Sequence, residues 1–280
     1  MSTFPASDIM SLMRQILELL VLNSDRGIVC VIIGGDPFYR SYSDPGNTYL
    51  RNPATKHYKH IPQNISDDST RIVGVGFGFD PINYDFKVIR VVNSPSQSEV
   101  YSANLNTWRK VGHQPMDNQY VWDFKGCING LLCWTQLHYI LTFDLTNEMF
   151  TCVTKLPSEA RHACITDFND SNVVLVGKGS NDKINLWRPN DIECLRLGGI
   201  VEASWTLVLS NSIDTNDVPV HSIHSYFNTG DILLRSDEGI WYWYNSVKKK
   251  AIKVSTSICL GEIYKYTESL VSITGFEQLY

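Results

Sequence analysis

One pattern recurs along this chain and narrows its fold more than any other: a strand ends in a polar turn and restarts on an aromatic or bulky residue. The copies are TYLRNPATKHYKHIP at 48–62, EVYSANLNTWRKV at 99–111, ILTFDLTNEMFTCVTKLP at 140–157 and, more loosely, IWYWYNSVKKKAIKV at 240–254. Aligning their turn residues gives Asn52, Asn104, Asp144 and Asn245, at intervals of 52, 40 and 101 residues. The last interval spans about two repeats and holds INLWRPN at 184–190 and ASWTLVL at 203–209, which could supply the missing copy.

Short strands repeating every 40 to 50 residues or so are what a ring of small sheets produces. A four-stranded sheet has apolar faces that it cannot cover alone, and stacking such sheets radially covers them. The expected fold is therefore all-β, a β-propeller of kelch-like four-stranded blades. In each copy the Asn or Asp is expected to shape the hairpin turn. Tyr58, Trp108 and Phe150 are expected to pack between neighbouring blades, as core and not as a ligand cage.

The rest of the chain fits the same reading. From Gly27 onward, runs rich in β-branched and aromatic residues alternate with Gly, Pro, Asn and Asp clusters, as in GIVCVIIGG at 27–35, DFKVIRVV at 85–92, NVVLVGKG at 172–179 and GIWYWY at 239–244. Ahead of them, Ile9, Leu12, Met13, Ile16, Leu17 and Leu20 recur at helical spacing with Asp8, Arg14 and Glu18 between them, which predicts one short amphipathic helix over 7–22. That segment has no signal-peptide cleavage pattern, and no run approaches the roughly 18 apolar residues of a membrane span.

Charge and cysteine usage exclude several functions. A net charge of -5 argues against nucleic acid, whose phosphates need a basic surface. The one basic run, Lys248 to Lys250, is expected to be a solvated turn. Seven cysteines, an odd number with no CxxC pair, predict free thiols in a reducing compartment, cytoplasm or nucleus. The sequons at Asn64 and Asn169 would then stay unmodified.

No residue set carries recognisable chemistry. His57 and His60, like His221 and His224, have an HxxH spacing, yet no acidic or cysteine partner follows at a metal-ligand distance, and on a strand such a pair points to opposite faces. Gly74, Gly76 and Gly78 in VGVGFGFD lack the G-x-G-x-x-G spacing of a dinucleotide loop and read as strand glycines. Asp67 and Asp68 sit in a polar loop, and no G-x-S-x-G elbow is present. No catalytic residue, cofactor or metal is expected, which also argues against a propeller enzyme of the galactose-oxidase architecture.

Five segments in order resemble a known family: NPATKHYKHIP (52–62), GVGFGFDPINYDFKVIRVV (74–92), SEVYSANLNTWRKV (98–111), GCINGLLCW (126–134) and ILTFDLTNEMF (140–150). They are similar to the F-box-associated interaction domain of plant F-box proteins, shared by the F-box/kelch-type group and S-locus F-box proteins. Weaker similarity continues to IYKYTESLVSI at 263–273. The resemblance implies a propeller that captures a substrate protein, joined to an F-box that docks on the Skp adaptor of a cullin ubiquitin ligase. At the front, FPASDIMSLMRQILELLVLNS at 4–24 resembles only the opening helix of an F-box.

The expected organisation is an amphipathic helix at 1–26, a remnant or degenerate F-box, and the propeller at 27–280, with the closure of its ring left open. Two functions follow: a substrate receptor of the ligase, or an F-box-defective protein that binds the same targets without adaptor or cullin.

Overall fold

The computed structural model describes residues 19–33, 46–63, 72–93, 97–115, 122–136, 138–158, 160–168, 172–178, 183–190, 195, 199–201, 205–212, 220–226, 231–236, 238–245, 247–254 and 266–278. Among them every regular element longer than a turn is a strand, and the strands form five sheets. The first holds β1 (Leu19–Asp25), β2 (Ile28–Ile33), β3 (Asn47–Asn52) and β4 (His57–His60), and the second β5 (Ile72–Asp80), β6 (Asp85–Val92), β7 (Glu99–Ser102) and β8 (Thr107–Lys110). The third holds β9 (Asp123–Ile128), β10 (Leu131–Gln136), β11 (Tyr139–Asp144) and β12 (Met149–Lys155). The fourth and fifth are β13 (Arg161–Phe168), β14 (Asn172–Lys178), β15 (Lys183–Pro189) with β17 (Trp205–Ser212), and β18 (Val220–Tyr226), β19 (Asp231–Ser236), β20 (Trp241–Asn245), β21 (Lys250–Lys253). Two short strands add to these: β16 (Gly199–Val201) runs parallel to β12, and β22 (Glu277–Gln278) antiparallel to β4. The fold is an all-β, five-bladed β-propeller.

The start of the chain departs from expectation. Residues 1–18, most of the expected helix, lie outside the described residues, but Leu19, Leu20 and Val21 open β1 and pair with β2. The expected boundary at 26/27 falls inside the β1–β2 hairpin, where Arg26 (φ 47°) and Gly27 (φ 80°) make a two-residue turn of two left-handed positions. The first sheet therefore lacks no strand, and β22 gives it a fifth. A short apolar run such as LLVL fits a helix or a strand alike, and here the partner strand decides.

The chain divides into two compact units. In the first, residues 1–130, 145–149 and 264–280, β5 lies beside β1 and also beside β9. All nine β5 residues are buried, so Gly74, Gly76 and Gly78 belong to a strand covered on both faces. Leu22, Ile28, Leu50, Phe77, Phe86 and Tyr101 form the core here, each large apolar side chain contributing about 1.5–3 kcal/mol on burial. In the second unit, residues 131–144 and 150–263, β13 packs on β18, and Val176, Leu186, Ile223 and Leu234 share a core. The Thr142 and Thr151 hydroxyls both donate to the Leu195 carbonyl, at 3.0 and 2.8 Å.

One turn design recurs. Asn52, Asp80, Ser102, Asp144 and Asn245 each end a strand, four residues follow, and the fourth is left-handed: Lys56, Tyr84, Asn106, Glu148 and Lys249, with φ between 51° and 57°. The strand-ending side chain accepts from the turn's backbone: Asn52 Oδ1 from Ala54 and Thr55 N–H, Asp80 Oδ1 from Ile82 and Asn83, Asn245 Oδ1 from Val247 and Lys248. In the second sheet's outer hairpin the position is Ser102, whose Oγ accepts from Leu105 N–H, and not Asn104. A hydroxyl does the amide's work there, so aligning on Asn places the turn two residues late.

The C-terminal segment 266–278 returns to the first sheet. Asn52, fully buried, donates through Nδ2 to the Ser269 and Val271 carbonyls at 3.0 and 2.8 Å. Lys59 donates to Thr274 O, and Ser269 Oγ to Arg26 O. Replacing Asn52 by alanine removes four hydrogen bonds and orphans two carbonyls, an expected loss of about 2 kcal/mol. Hydrogen exchange checks it: amides of 266–278 should exchange faster in Asn52→Ala while β13 and β14 keep their rates.

Candidate functional site

In the first unit, three of these turns, 81–84, 103–106 and 145–148, converge on a cleft of about 450 Å³. Strand periodicity prepares it: Asp85 and Lys87, two apart on β6, share a face, and Asp80 stands directly opposite Asp85 in the β5–β6 pairing. Two opposed carboxylates would repel. Each has its own compensation: Lys87 Nζ lies 2.7 Å from Asp80 Oδ2, while Asp85 accepts from Ser102 Oγ at 2.6 Å and from Asn104 N–H at 3.0 Å.

Lys87 is the hub, with its side chain 3% exposed. Besides Asp80 it meets Glu148 Oε1 at 2.8 Å and donates to the Leu145 carbonyl at 2.6 Å, so all three ammonium protons are engaged. The guanidinium of Arg109 pairs with Glu148 from the solvent side, and Thr146 Oγ1 donates to Asp80 Oδ1 at 2.8 Å. The turn after β11 is thereby tied to the second sheet by charge. A close contact also holds the β9–β10 turn: a Cβ on Gly130 (φ 77°) would lie 2.8 Å from Pro81 Cδ.

Burial alone would push the Asp80 carboxyl up, but hydrogen bonds from Lys87, Asn83 and Thr146 outweigh it and hold the group well below its ordinary 3.8. The folded carboxylate takes up its proton at lower pH than the unfolded one, so its stabilisation is complete above the ordinary value and lost as pH falls below it. Urea unfolding of the wild type and Asp80→Asn should differ most near neutral pH, and the gap should shrink by about pH 3.

Leu105, 66% exposed, is the apolar residue that lines this polar floor, while Ile82, Tyr84 and Met149, 68%, 76% and 49% exposed, are sequence neighbours of lining residues. Asn83, Asn104 and Asn147 line it as well. A cleft with a fixed ion network, amides and an exposed leucine can bind a chain segment.

Of the residues singled out in the sequence, Asn104 alone lines this cleft; its Nδ2 donates to the Tyr84 carbonyl at 3.2 Å. Trp108 bridges neighbouring sheets, donating from Nε1 to Pro62 O at 2.7 Å under the Arg90 guanidinium at 4.1 Å. Tyr58 and Phe150 are half-buried and meet aromatic residues of their own sheets, Tyr58 on Tyr49 with its hydroxyl donating to Glu277, Phe150 edge-on to Phe143. Outer strands have one face toward water, which explains the partial exposure. Asp144 ends β11 and Asn245 ends β20, and Lys248 to Lys250 form an exposed turn and strand start.

The remaining candidates have structural neighbours. His57 stacks on Phe276 with centroids 6.1 Å apart, His60 tilts against Tyr49 at 5.0 Å, and His224 lies edge-on to Trp241 at 4.4 Å. Cys30, Cys127 and Cys133 are thiols, and burial raises Cys30 far above the ordinary thiol value. Asn64, Asp67, Asp68 and Asn169, and the side chains of His221, Cys152, Cys164, Cys194 and Cys259, lie outside the described residues. Among the described residues no group of three or more His, Cys, Asp and Glu is placed to hold a metal ion, and no helix is long and apolar enough to cross a membrane.

Lys87, Glu148 and Arg109, which line the cleft, and Asp80, which pairs with Lys87, are the candidate-site residues that sequence reasoning missed. The available signal was Lys87 itself, a lone ammonium inside the apolar run DFKVIRVV, which demands a buried counter-charge.

Fold and cleft together define a β-propeller interaction module. The chain belongs to the F-box associated beta propeller domain family, whose model matches residues 7–193. This is a family of non-catalytic interaction modules, with a protein-binding role linked to F-box proteins. Among solved structures, a chain in the crystal structure of a mitotic checkpoint complex is similar at 11% identity and a TM-score of 0.46, over 84% of this chain and 65% of that one. This chain thus spans just under two thirds of that chain's length. No curated protein matches.

Proposed function

We propose that the chain is the substrate-recognition module of a Skp-cullin-F-box ubiquitin ligase, capturing target proteins for ubiquitination by other subunits. Membership of the F-box associated propeller family over residues 7–193 carries this reading. The exposed Leu105 among the polar groups of the cleft supports it, because protein interfaces are built around exposed apolar anchors ringed by polar groups. The motifs at 52–62, 74–92 and 98–111 favour kinship with plant F-box/kelch-type and S-locus F-box proteins. A net charge of -5 favours protein over nucleic acid as partner, and the cytoplasm or nucleus is the compartment where such a ligase works.

Affinity purification from cells with the proteasome blocked tests this. The expected result is co-purification of a Skp-type adaptor and a cullin, together with a target whose ubiquitin conjugates fall when the chain is deleted. A target recovered with no adaptor, while an F-box-bearing relative recovers one in parallel, removes the ligase part of the claim.

A further inference from the structure

The last hairpin of the fifth sheet gathers positive charge in an acidic chain. Residues 239–254 carry four lysines, Lys248, Lys249, Lys250 and Lys253, and no Asp or Glu, against a net charge of -5 overall. All four are exposed, and Lys248, Lys250 and Lys253 join no ion pair among the described residues. β21 holds two of them and ends its sheet, so among the described residues no strand pairs with its far side.

Lysines along an edge normally keep other strands away. Shielding does not account for the apolar residues beside them: Ile252 and Val254 share one face of the strand and are 59% and 51% exposed. Two further sheets end on an uncovered strand, and both differ. On β8, Trp108 and Arg109 are committed to Pro62 and Glu148, and β17 has no charged residue.

The first sheet shows how such an edge is closed. β4 lies in a basic stretch too, TKHYKH at 55–60, and follows the same turn design, with Lys56 where the last hairpin has Lys249. Its far side is covered by β22, which sets Glu277 opposite Tyr58 and within 2.9 Å of the tyrosine hydroxyl. The backbone prepares both edges alike: Ile61 N–H donates to Thr48 O, and Val254 N–H to Trp241 O, each at 2.9 Å. Such bonds alternate along an antiparallel pair, so Ala251 and Lys253 turn N–H and C=O outward, as Tyr58 does. Ala251 stands six residues after Asn245, as Tyr58 stands six after Asn52.

We propose that the outer edge of β21 receives an extended acidic segment of another protein, paired antiparallel as β22 is on β4. Carboxylates opposite Lys250 and Lys253, and apolar side chains opposite Ile252 and Val254, match this edge. A second copy of the chain does not match it, because two such lysine-bearing edges repel. The assignment goes beyond the receptor reading and does not rest on it.

Fluorescence polarisation on the full chain tests it with a labelled, acetylated hexapeptide, Val-Glu-Ile-Val-Glu-Glu, whose first residue would stand opposite Val254. It should bind at least about tenfold more tightly than the same peptide with lysine or glutamine in place of glutamate, and more weakly as salt rises. N-methylation of the fourth residue, whose N–H would face Ala251, should weaken binding about tenfold. The same change at the third residue, whose N–H would point away from the edge, should weaken it by less than about twofold. Lys250→Glu combined with Lys253→Glu should reverse the preference, so that the lysine peptide binds the more tightly. Both sites are exposed, and thermal unfolding of this variant should stay at the wild-type value.

Equal binding of the glutamate, glutamine and lysine peptides, binding of none of them, or equal effects of the two methyl groups overturns the assignment. A dimer of the wild-type chain that the double variant abolishes also overturns it, because the edge would then serve a second copy.

Discussion

Replacing Lys87 by methionine is expected to destabilise the protein by about 3–5 kcal/mol, the cost of leaving a buried counter-charge alone. Methionine fills the volume of the lysine stem, so the effect isolates the ammonium. Asp80, with no exposed side-chain surface, would lose its 2.7 Å partner, Glu148 would keep only Arg109, and the Leu145 carbonyl would lose a donor at 2.6 Å. Urea unfolding at neutral pH measures it.

A double variant separates charge from packing. Lys87→Met combined with Asp80→Asn removes both charges of the most buried pair, and should recover at least about 1.5 kcal/mol of the loss. Additive effects of the two changes would mean that Lys87 and Asp80 act independently and that the network has been misread.

The second large effect is expected at Gly27. Its φ of 80° already disfavours alanine by about 1–2 kcal/mol. An added Cβ would also lie 2.2 Å from Ser269 Oγ, 2.7 Å from Ser269 Cβ and 2.9 Å from Ser269 N. A hydroxyl can rotate away, but a backbone nitrogen cannot, so the C-terminal segment has to move off the first sheet. Together these give an expected loss of about 3 kcal/mol or more in Gly27→Ala. Limited proteolysis should then cut first within 266–278. Adding Ser269→Gly removes two of the three collisions and should restore part of the stability, leaving the left-handed cost in place.

Much of this architecture was legible in residues. The strand-turn-aromatic copies around Asn52, Asp144 and Asn245 fall on the hairpin turns of three different sheets, because an amide or carboxylate ending a strand can close the turn locally and leaves a trace in the sequence. Ser102 leaves a fainter one, which displaced the second copy to Asn104. Asp80 also ends a strand in this way, and Phe86 follows at the same six-residue offset as Tyr58 and Phe150, a copy that the alignment on Asn52, Asn104, Asp144 and Asn245 passed over.

The end of the expected helix was misjudged for a different reason: Leu20 reads as helical until β2 provides Ile32, opposite which it pairs. The cleft was the least legible part. Its charges come from residues 80–87, 109 and 148, and only the convergence of three turns makes them neighbours.

The central claim is that this propeller recognises a protein through the turns around the Lys87 network. Proximity labelling in cells tests it most directly, with the wild-type chain and the Leu105→Ser variant expressed at equal levels. The account predicts a set of proteins enriched by the wild type and lost from the variant, while both chains remain equally folded. The same proteins enriched to the same extent by both would contradict it, because recognition would then lie elsewhere on the molecule.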